Sequence, residues 1–204
     1  MNNWIEKEQP KKETIQSLKK DIKIDDFLCS LLLQRKVNTL TKAQEFFRPD
    51  INLLHDPFLM KDMKKVVEKI ENSREERIMI LGDYDVDGTT STAMLYTYFK
   101  NINYDILYYI PDRYSEGYGV SEKAIEYAEK NRVSLIITVD CGIKAINQVD
   151  ISNSKNIEMI ICDHHLPGDQ IPNAFGILNP KQKNCKYPFK DLCGCGIAYK
   201  LITA

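Results

Sequence analysis

Apolar residues recur along this chain with two different periods. In the first fifty or so residues the spacing is three and four: Ile15, Leu18 and Ile22, then Phe27, Leu28, Leu31 and Leu32, then Ala43, Phe46 and Phe47 after a start signal at Thr41 and before Pro49. That is the spacing of amphipathic helices, and it predicts a small helical appendage over residues 1–57. A further helix is expected over 61–72, with Met63, Val66, Val67 and Ile70 on one face.

From Ile78 the pattern changes to short continuous apolar runs separated by helical stretches. The runs predict strands at 78–82, 105–110, 134–139, 157–162 and 176–178. The stretches between them predict helices at 89–101, 121–131 and 143–154. Strands alternating with helices give an α/β fold, a parallel β-sheet flanked by helices, assigned here to residues 58–204. In such sheets ligands bind beyond the carboxyl ends of the strands, so the residues that follow each strand carry the chemistry.

Three strands end in acidic or imidazole groups. The first runs into Asp83, Asp85 and Asp87, the third into Asp140 and the fourth into Asp163, His164 and His165. An aspartate at a strand end is often only a turn former or a helix cap. Three clusters on one sheet edge are better explained by a cation, because carboxylates crowded together raise one another's pKa and repel unless neutralised. Oxygen donors with one or two imidazoles and no thiolate favour manganese or magnesium over structural zinc. A carboxylate cluster of this size can hold two such ions, and hydrolysis of a phosphate ester is the reaction class that uses the arrangement.

Composition narrows the setting. The 204 residues are 43% hydrophobic and 28% charged, with a formal charge of −1, so any polyanion must be held by local lysines or by cations. No apolar run approaches the roughly 20 residues of a membrane span and no signal core opens the chain, which points to the cytoplasm. The six cysteines lack a CxxC pair; they read as reduced, mostly buried small residues, with a zinc site around Cys185, Cys193 and Cys195 as the rarer alternative.

Two local motifs compete for the acidic turn. An EF-hand loop is rejected because its twelfth position would be Met94 and a strand precedes it. The Asp85-Val86-Asp87-Gly88-Thr89 segment is also similar to the nucleophile motif of haloacid dehalogenase-type phosphatases, which would leave Asp83 and the DHH triplet unexplained.

Taken together, GDYDVDGTTS, TVDCG and ICDHH resemble the three motifs of the DHH phosphoesterase family. IPDRYSEGYGVS, NPKQKNCKYPFKDLCGCGIAYKL and a leader containing Trp4, Leu32 to Arg35 and LLHDPFLMKDM narrow the resemblance to the RecJ-type single-stranded-DNA-specific exonucleases. The resemblance implies a 5′-to-3′ exonuclease on single-stranded DNA in repair and recombination. It also implies two Mn2+ or Mg2+ ions, a single-strand-binding protein and a helicase as partners, and a monomer. Carried over by position, Asp85 would hold the first ion with Asp83 beside it, Asp87 and His164 the second, and Asp140 both. His165 would then touch the phosphate or leaving oxygen, since neighbouring side chains of an extended segment point oppositely, and Asp163 would orient an imidazole. The family also has a later aspartate and a second domain, so the sequence reads as a truncated catalytic domain with an incomplete second site.

Substrate contacts are expected from Arg113, which pairs phosphates, and from Tyr114 and Tyr118, which can stack bases. Gly117 and Gly119 would let a phosphate approach the backbone. Lys181, Lys183, Lys186 and Lys190, interleaved with Tyr187 and Phe189, fit a groove that follows a nucleic-acid backbone. The remaining readings are a DHH phosphodiesterase for short oligonucleotides or cyclic dinucleotides, and a non-catalytic replication scaffold of the same fold.

Overall fold

The computed structural model describes residues 5–204; Trp4, part of the leader resemblance, lies outside them. The chain divides into two compact units, up to Leu54 and from His55 onward.

In the first unit three helices, α1 (Lys12–Ile22), α2 (Asp26–Gln34) and α3 (Leu40–Phe47), precede a 3-10 turn at Ile51–Leu53. Their common core is Leu18, Cys29, Leu32, Val37 and Ala43. Asp25 caps α2 by accepting from Leu28 N–H, and Thr39 caps α3 by accepting from Lys42 N–H. The start signal for α3 is therefore Thr39 and not Thr41, because a cap must stand outside the first turn to reach back to it.

The second unit begins three residues before the expected boundary. The His55 carbonyl accepts from the buried Lys200 ammonium and its ring meets Tyr187 edge-on, so residues 55–57 belong to this unit. After a 3-10 turn at Pro57–Leu59 come α4 (Met63–Asn72), β1 (Arg77–Gly82), α5 (Val86–Asn101), β2 (Asp105–Tyr109), α6 (Glu122–Lys130), β3 (Leu135–Val139), α7 (Ile146–Ser154), β4 (Glu158–Cys162), β5 (Gly176–Leu178) and α8 (Gly194–Thr203). The sheet is wholly parallel in the order β2-β1-β3-β4-β5. The α/β architecture expected from the alternating pattern is the one observed.

Strand parity divides the core. Ile78, Ile80, Leu135, Ile137, Ile160 and Cys162 pack under α4, α5 and α8. Met79, Leu81, Ile136, Met159 and Ile161 pack under α6 and α7. Burial on both faces is why these strands read as continuous apolar runs and not as alternation. Because β2 and β3 leave β1 on opposite sides, the order reverses between β1 and β3. A crevice opens there at the carboxyl ends, and Asp83 and Asp140 are the residues that follow those two strands.

All six cysteines are free thiols; Cys29, Cys141, Cys162 and Cys185 are buried and Cys193 is exposed. No helix among the described residues is long and apolar enough to cross a membrane.

Candidate metal centre

The acidic turn is tighter than the pattern predicts, because α5 begins at Val86 and not at residue 89. Asp85 is its N-cap, with Oδ1 accepting from Gly88 N–H at 2.9 Å. Asp87 consequently lies in the first helical turn and reaches away from β1 to the N-terminus of α8. There its two oxygens accept from Gly194 N–H at 2.6 Å and Cys195 N–H at 2.7 Å. Helix N-termini favour negative charge, so Asp87 is held by two of them. Amides at a helix start can also hold a phosphate; at α8 the Asp87 carboxylate occupies them.

Asp83 and Asp140 are each only 1% exposed. Burial and the nearby Asp85 charge push Asp83 above the ordinary carboxylate range. For Asp140, burial and the charges of Asp87 and Asp85 push the pKa up to about 8. The Asp140 N–H donates to the Cys162 carbonyl at 2.9 Å, which extends the β3–β4 ladder past the strand end. The residue turns there with φ +63°, a left-handed conformation that asparagine and aspartate adopt most readily among residues other than glycine. Oδ1 of Asp83 and Oδ1 of Asp140 are buried with no hydrogen-bond donor. His164 Nε2 stands 3.1 Å from that Asp140 oxygen, outside hydrogen-bond geometry, and 3.9 Å from Asp87 Oδ2.

Burial, with the neighbouring His165, lowers the His164 pKa and keeps the ring neutral, the form in which imidazole binds metals. His165 does not diverge from it as strict alternation requires: the two ring centroids are 4.5 Å apart. Extended structure ends at Cys162 and the chain bends at His165, so the period of two no longer applies. His165 Nδ1 faces Asp163 Oδ1 at 2.7 Å, and that oxygen also accepts the His165 N–H at 3.0 Å. Asp163 Oδ2 accepts from Ile143 N–H at 2.9 Å. Facing a carboxylate that only accepts, Nδ1 carries the proton and Nε2 is left free.

Among the described residues, two groups of donors come within reach of a common ion: Asp83, Asp85 and Asp140, and Asp140, His164 and His165. Asp140 belongs to both. Hard oxygens, orphaned buried carboxylate atoms and neutral imidazole fit manganese or magnesium, with no thiolate in either group.

The expected substrate residues fare unevenly. Tyr118 is 56% exposed and is anchored by its hydroxyl, which donates to the Asp140 carbonyl at 3.2 Å and lies 3.2 Å from His165 Nδ1. Tyr114 is 94% exposed, and Arg113 lies over the Tyr84 ring at 5.4 Å. Gly117 and Gly119 take φ of +81° and +90° in open space. The four lysines do not form one strip. Lys181 lies close enough to His164 to disfavour its charge, and Lys183 is exposed. Lys186 borders a separate groove with Lys61, Lys64 and Lys65, and Lys190 donates to the Cys185 carbonyl at 2.8 Å. Tyr187, expected among them as an aromatic contact, is 1% exposed in the core.

Two supporting residues escaped sequence reasoning. Glu116 ties the 110–121 loop together, accepting from Tyr109 Oη, Asp112 N–H and Ser121 Oγ. Asn179, fully buried, donates to the His165 carbonyl at 2.9 Å. Both lie inside the two stretches that narrow the family resemblance, which does not say what either side chain holds.

A model of the DHH family, N-terminal domain, matches residues 77–204. The chain is 39% identical over 199 residues to the single-stranded-DNA-specific exonuclease RecJ of Bacillus subtilis, covering 97% of this chain and 25% of that one. To the Escherichia coli protein of the same description it is 39% identical over 145 residues, covering 70% and 25%. The chain thus spans about a quarter of the length of these curated relatives. A crystal structure of exonuclease RecJ bound to manganese superposes with a TM-score of 0.62 at 30% identity, over 70% of this chain and 37% of that one. The fold is also that of Thermus thermophilus RecJ crystallised with Mn2+, at a TM-score of 0.73, 22% identity, and 95% and 27% coverage.

Proposed function

This chain belongs to the DHH family, and on that premise we propose that it carries the cation-dependent catalytic site of a RecJ-type 5′-to-3′ exonuclease acting on single-stranded DNA. The observation that carries this reading is Asp140: buried, with an oxygen lacking a donor, and common to both donor groups. Asp83, Asp85 and Asp140 would hold one divalent cation, and Asp140 and His164, with Asp87 beside them, a second, either Mn2+ or Mg2+. Cations bound there supply charge neutralisation and polarisation of a phosphoryl oxygen.

The protein groups do the rest. Asp163 fixes His165 with its free Nε2 available to the substrate, where it can take a proton from the attacking water and then return it to the leaving oxygen. Tyr118 secures the same ring and the Asp140 backbone at once. Arg113 and Lys181 are the cations placed to meet a phosphate, and Tyr114 is the ring free to stack a base. Action as a monomer in cytoplasmic DNA repair and recombination, alongside a single-strand-binding protein and a helicase, rests on the family resemblance and forms part of the same proposal.

The test is manganese-dependent release of mononucleotides from 5′-phosphorylated single strands by the full-length parent. A ladder of oligonucleotide lengths separates this activity from a phosphodiesterase restricted to very short substrates. Calorimetric titration with manganese separates it from a scaffold, which would bind none. His165→Ala is expected to keep manganese affinity while turnover falls by about 10²–10⁴; loss of manganese binding in that variant would make His165 a ligand and overturn its assigned role.

A further inference from the structure

Residues 112–118, the outer part of the 110–121 loop, contribute no buried side chain. Tyr118 stands between Gly117 and Gly119, both at positive φ with nothing within 4 Å of a Cβ built on them, so packing does not fix the path of the backbone there. Even so, the loop touches both sides of the carboxylate cluster. The Tyr118 hydroxyl donates to the Asp140 carbonyl and lies beside His165 Nδ1, and the Gly119 N–H faces the Asp83 carboxylate.

The two ends of the loop are tied through one side chain. Glu116 Oε1 accepts from Asp112 N–H at 3.0 Å, Oε2 accepts from Ser121 Oγ at 2.6 Å, and Tyr109 Oη lies 3.0 and 2.9 Å from the two oxygens. Tyr109 is the last residue of β2, and Ser121 is the N-cap of α6, where its hydroxyl accepts from Ala124 N–H at 3.0 Å. Glu116 therefore joins a strand end to a helix start across the base of the loop. Burial and the Glu116 hydrogen bond push the Tyr109 pKa up to about 12, so its hydroxyl remains a donor at neutral pH.

We propose that Glu116 is a positioning residue for the cation site and the strand: by setting the path of the loop it places Tyr118 against Asp140 and His165, and it presents Arg113 and Tyr114 to the substrate. The inference rests on the exonuclease reading above. The span of the side chain matters in it, and its charge does not. A glutamine of equal length can accept from Asp112 N–H and Tyr109 Oη with its oxygen and donate to Ser121 Oγ, which has a second lone pair beside the one that takes Ala124 N–H. An aspartate keeps the charge but, one methylene shorter, does not bridge both ends.

The full-length parent carrying Glu116→Ala, Glu116→Asp or Glu116→Gln is titrated calorimetrically with manganese and assayed on 5′-phosphorylated single strands. Glu116→Ala and Glu116→Asp are expected to weaken manganese by about 10–100-fold, as when groups that orient metal ligands are removed. At saturating manganese part of kcat returns while KM stays raised, because Arg113 and Tyr114 have lost their place. Loss of folded protein would lower kcat and leave KM alone, so the KM rise is the mark of positioning. Glu116→Gln is expected to stay within about threefold of wild type in both measurements, less than an ordinary hydrogen bond is worth at most. Tyr109→Phe removes one partner and should show a smaller loss of the same kind, which answers the question if Glu116→Ala fails to fold. Wild-type manganese affinity in Glu116→Ala, a fall in kcat with KM unchanged, or a Glu116→Gln variant as impaired as Glu116→Ala would each overturn the assignment. Manganese binding and mononucleotide release by the wild-type parent, with Glu116→Ala its equal, sink this inference only; a wild-type parent that does neither sinks the exonuclease reading with it.

Discussion

Asp140→Asn is expected to melt higher than the wild-type chain in EDTA and to lose the stabilisation that manganese confers. The wild-type carboxyl is buried against Asp85 and Asp87, which push its pKa to about 8. In the unfolded chain it titrates near 3.9. The folded state therefore holds a proton that the unfolded state releases, and metal-free stability falls as pH rises from about 4 to about 8. Asparagine carries no charge to bury, and it tolerates the left-handed φ of +63° better than most residues do. The full pKa difference would give about 4–6 kcal/mol near pH 7–8, but Asp85 is exposed and solvent screens its charge, so a gain of about 2 kcal/mol is expected, or about 4–8 °C in Tm for a chain of this size. The gap to wild type should widen between pH 6 and pH 8. Manganese reverses the order, since an ion that binds only the folded state adds about 2.7 kcal/mol at a hundred times its Kd, and the amide is a poor ligand to two ions. Scanning fluorimetry at both pH values, with EDTA and with manganese, measures each part. An unchanged Tm in EDTA, or an equal manganese gain in the variant, would show that Asp140 is not the shared carboxylate.

The same residue shows why some of this molecule was legible in its sequence. Strand positions followed from apolar runs, because burial on both sheet faces leaves no room for polar residues at Ile78–Leu81, Leu135–Ile137 or Met159–Ile161. The edge that bears the chemistry then followed from parallel topology, and Asp83, Asp140 and the DHH triplet all fall on it. Local periodicity failed where the strands end. It placed His164 and His165 on opposite sides, whereas the bend after Cys162 brings the rings together. Long-range partners were hidden as well: Asp87 reaches 107 residues along the chain to Gly194, a pairing set by the packing of α5 against α8. Charge runs misled for a similar reason. Lys181, Lys186 and Lys190 are close in sequence, but the loop that carries them turns around the buried Tyr187 and sends each to a different neighbour.

That long-range pairing makes Gly194→Ala the second large-effect substitution. Gly194 sits between two carboxylates: its N–H donates to Asp87 Oδ2 at 2.6 Å, and a Cβ built on it would fall 2.5 Å from Asp140 Oδ1 and 2.8 Å from Asp140 Cβ and Cγ. Real Cβ atoms do not approach so closely, so α8 or Asp140 must move. Asp140 has little freedom to give way, because its own N–H is tied to the Cys162 carbonyl and its carbonyl accepts from Tyr118. Moving α8 instead withdraws the two amides from Asp87. Overpacking costs about 1–3 kcal/mol, and each charge-assisted hydrogen bond lost adds about 1.5–3. Against these, alanine's better helix propensity returns at most about 1 kcal/mol. A net destabilisation of about 3 kcal/mol follows, with manganese affinity down by 10–100-fold, as when groups that orient metal ligands are removed. Gly196→Ala is the control within the same helix turn. Its nearest neighbour would be the movable end of Leu192 at 3.2 Å, so it should match or slightly exceed wild type in both measurements. Denaturant melts and manganese titration of the pair decide the matter. If Gly194→Ala behaves as Gly196→Ala does, the start of α8 does not set the spacing of Asp87 and Asp140, and the geometry of the cation site must be fixed from β1 and β3 alone.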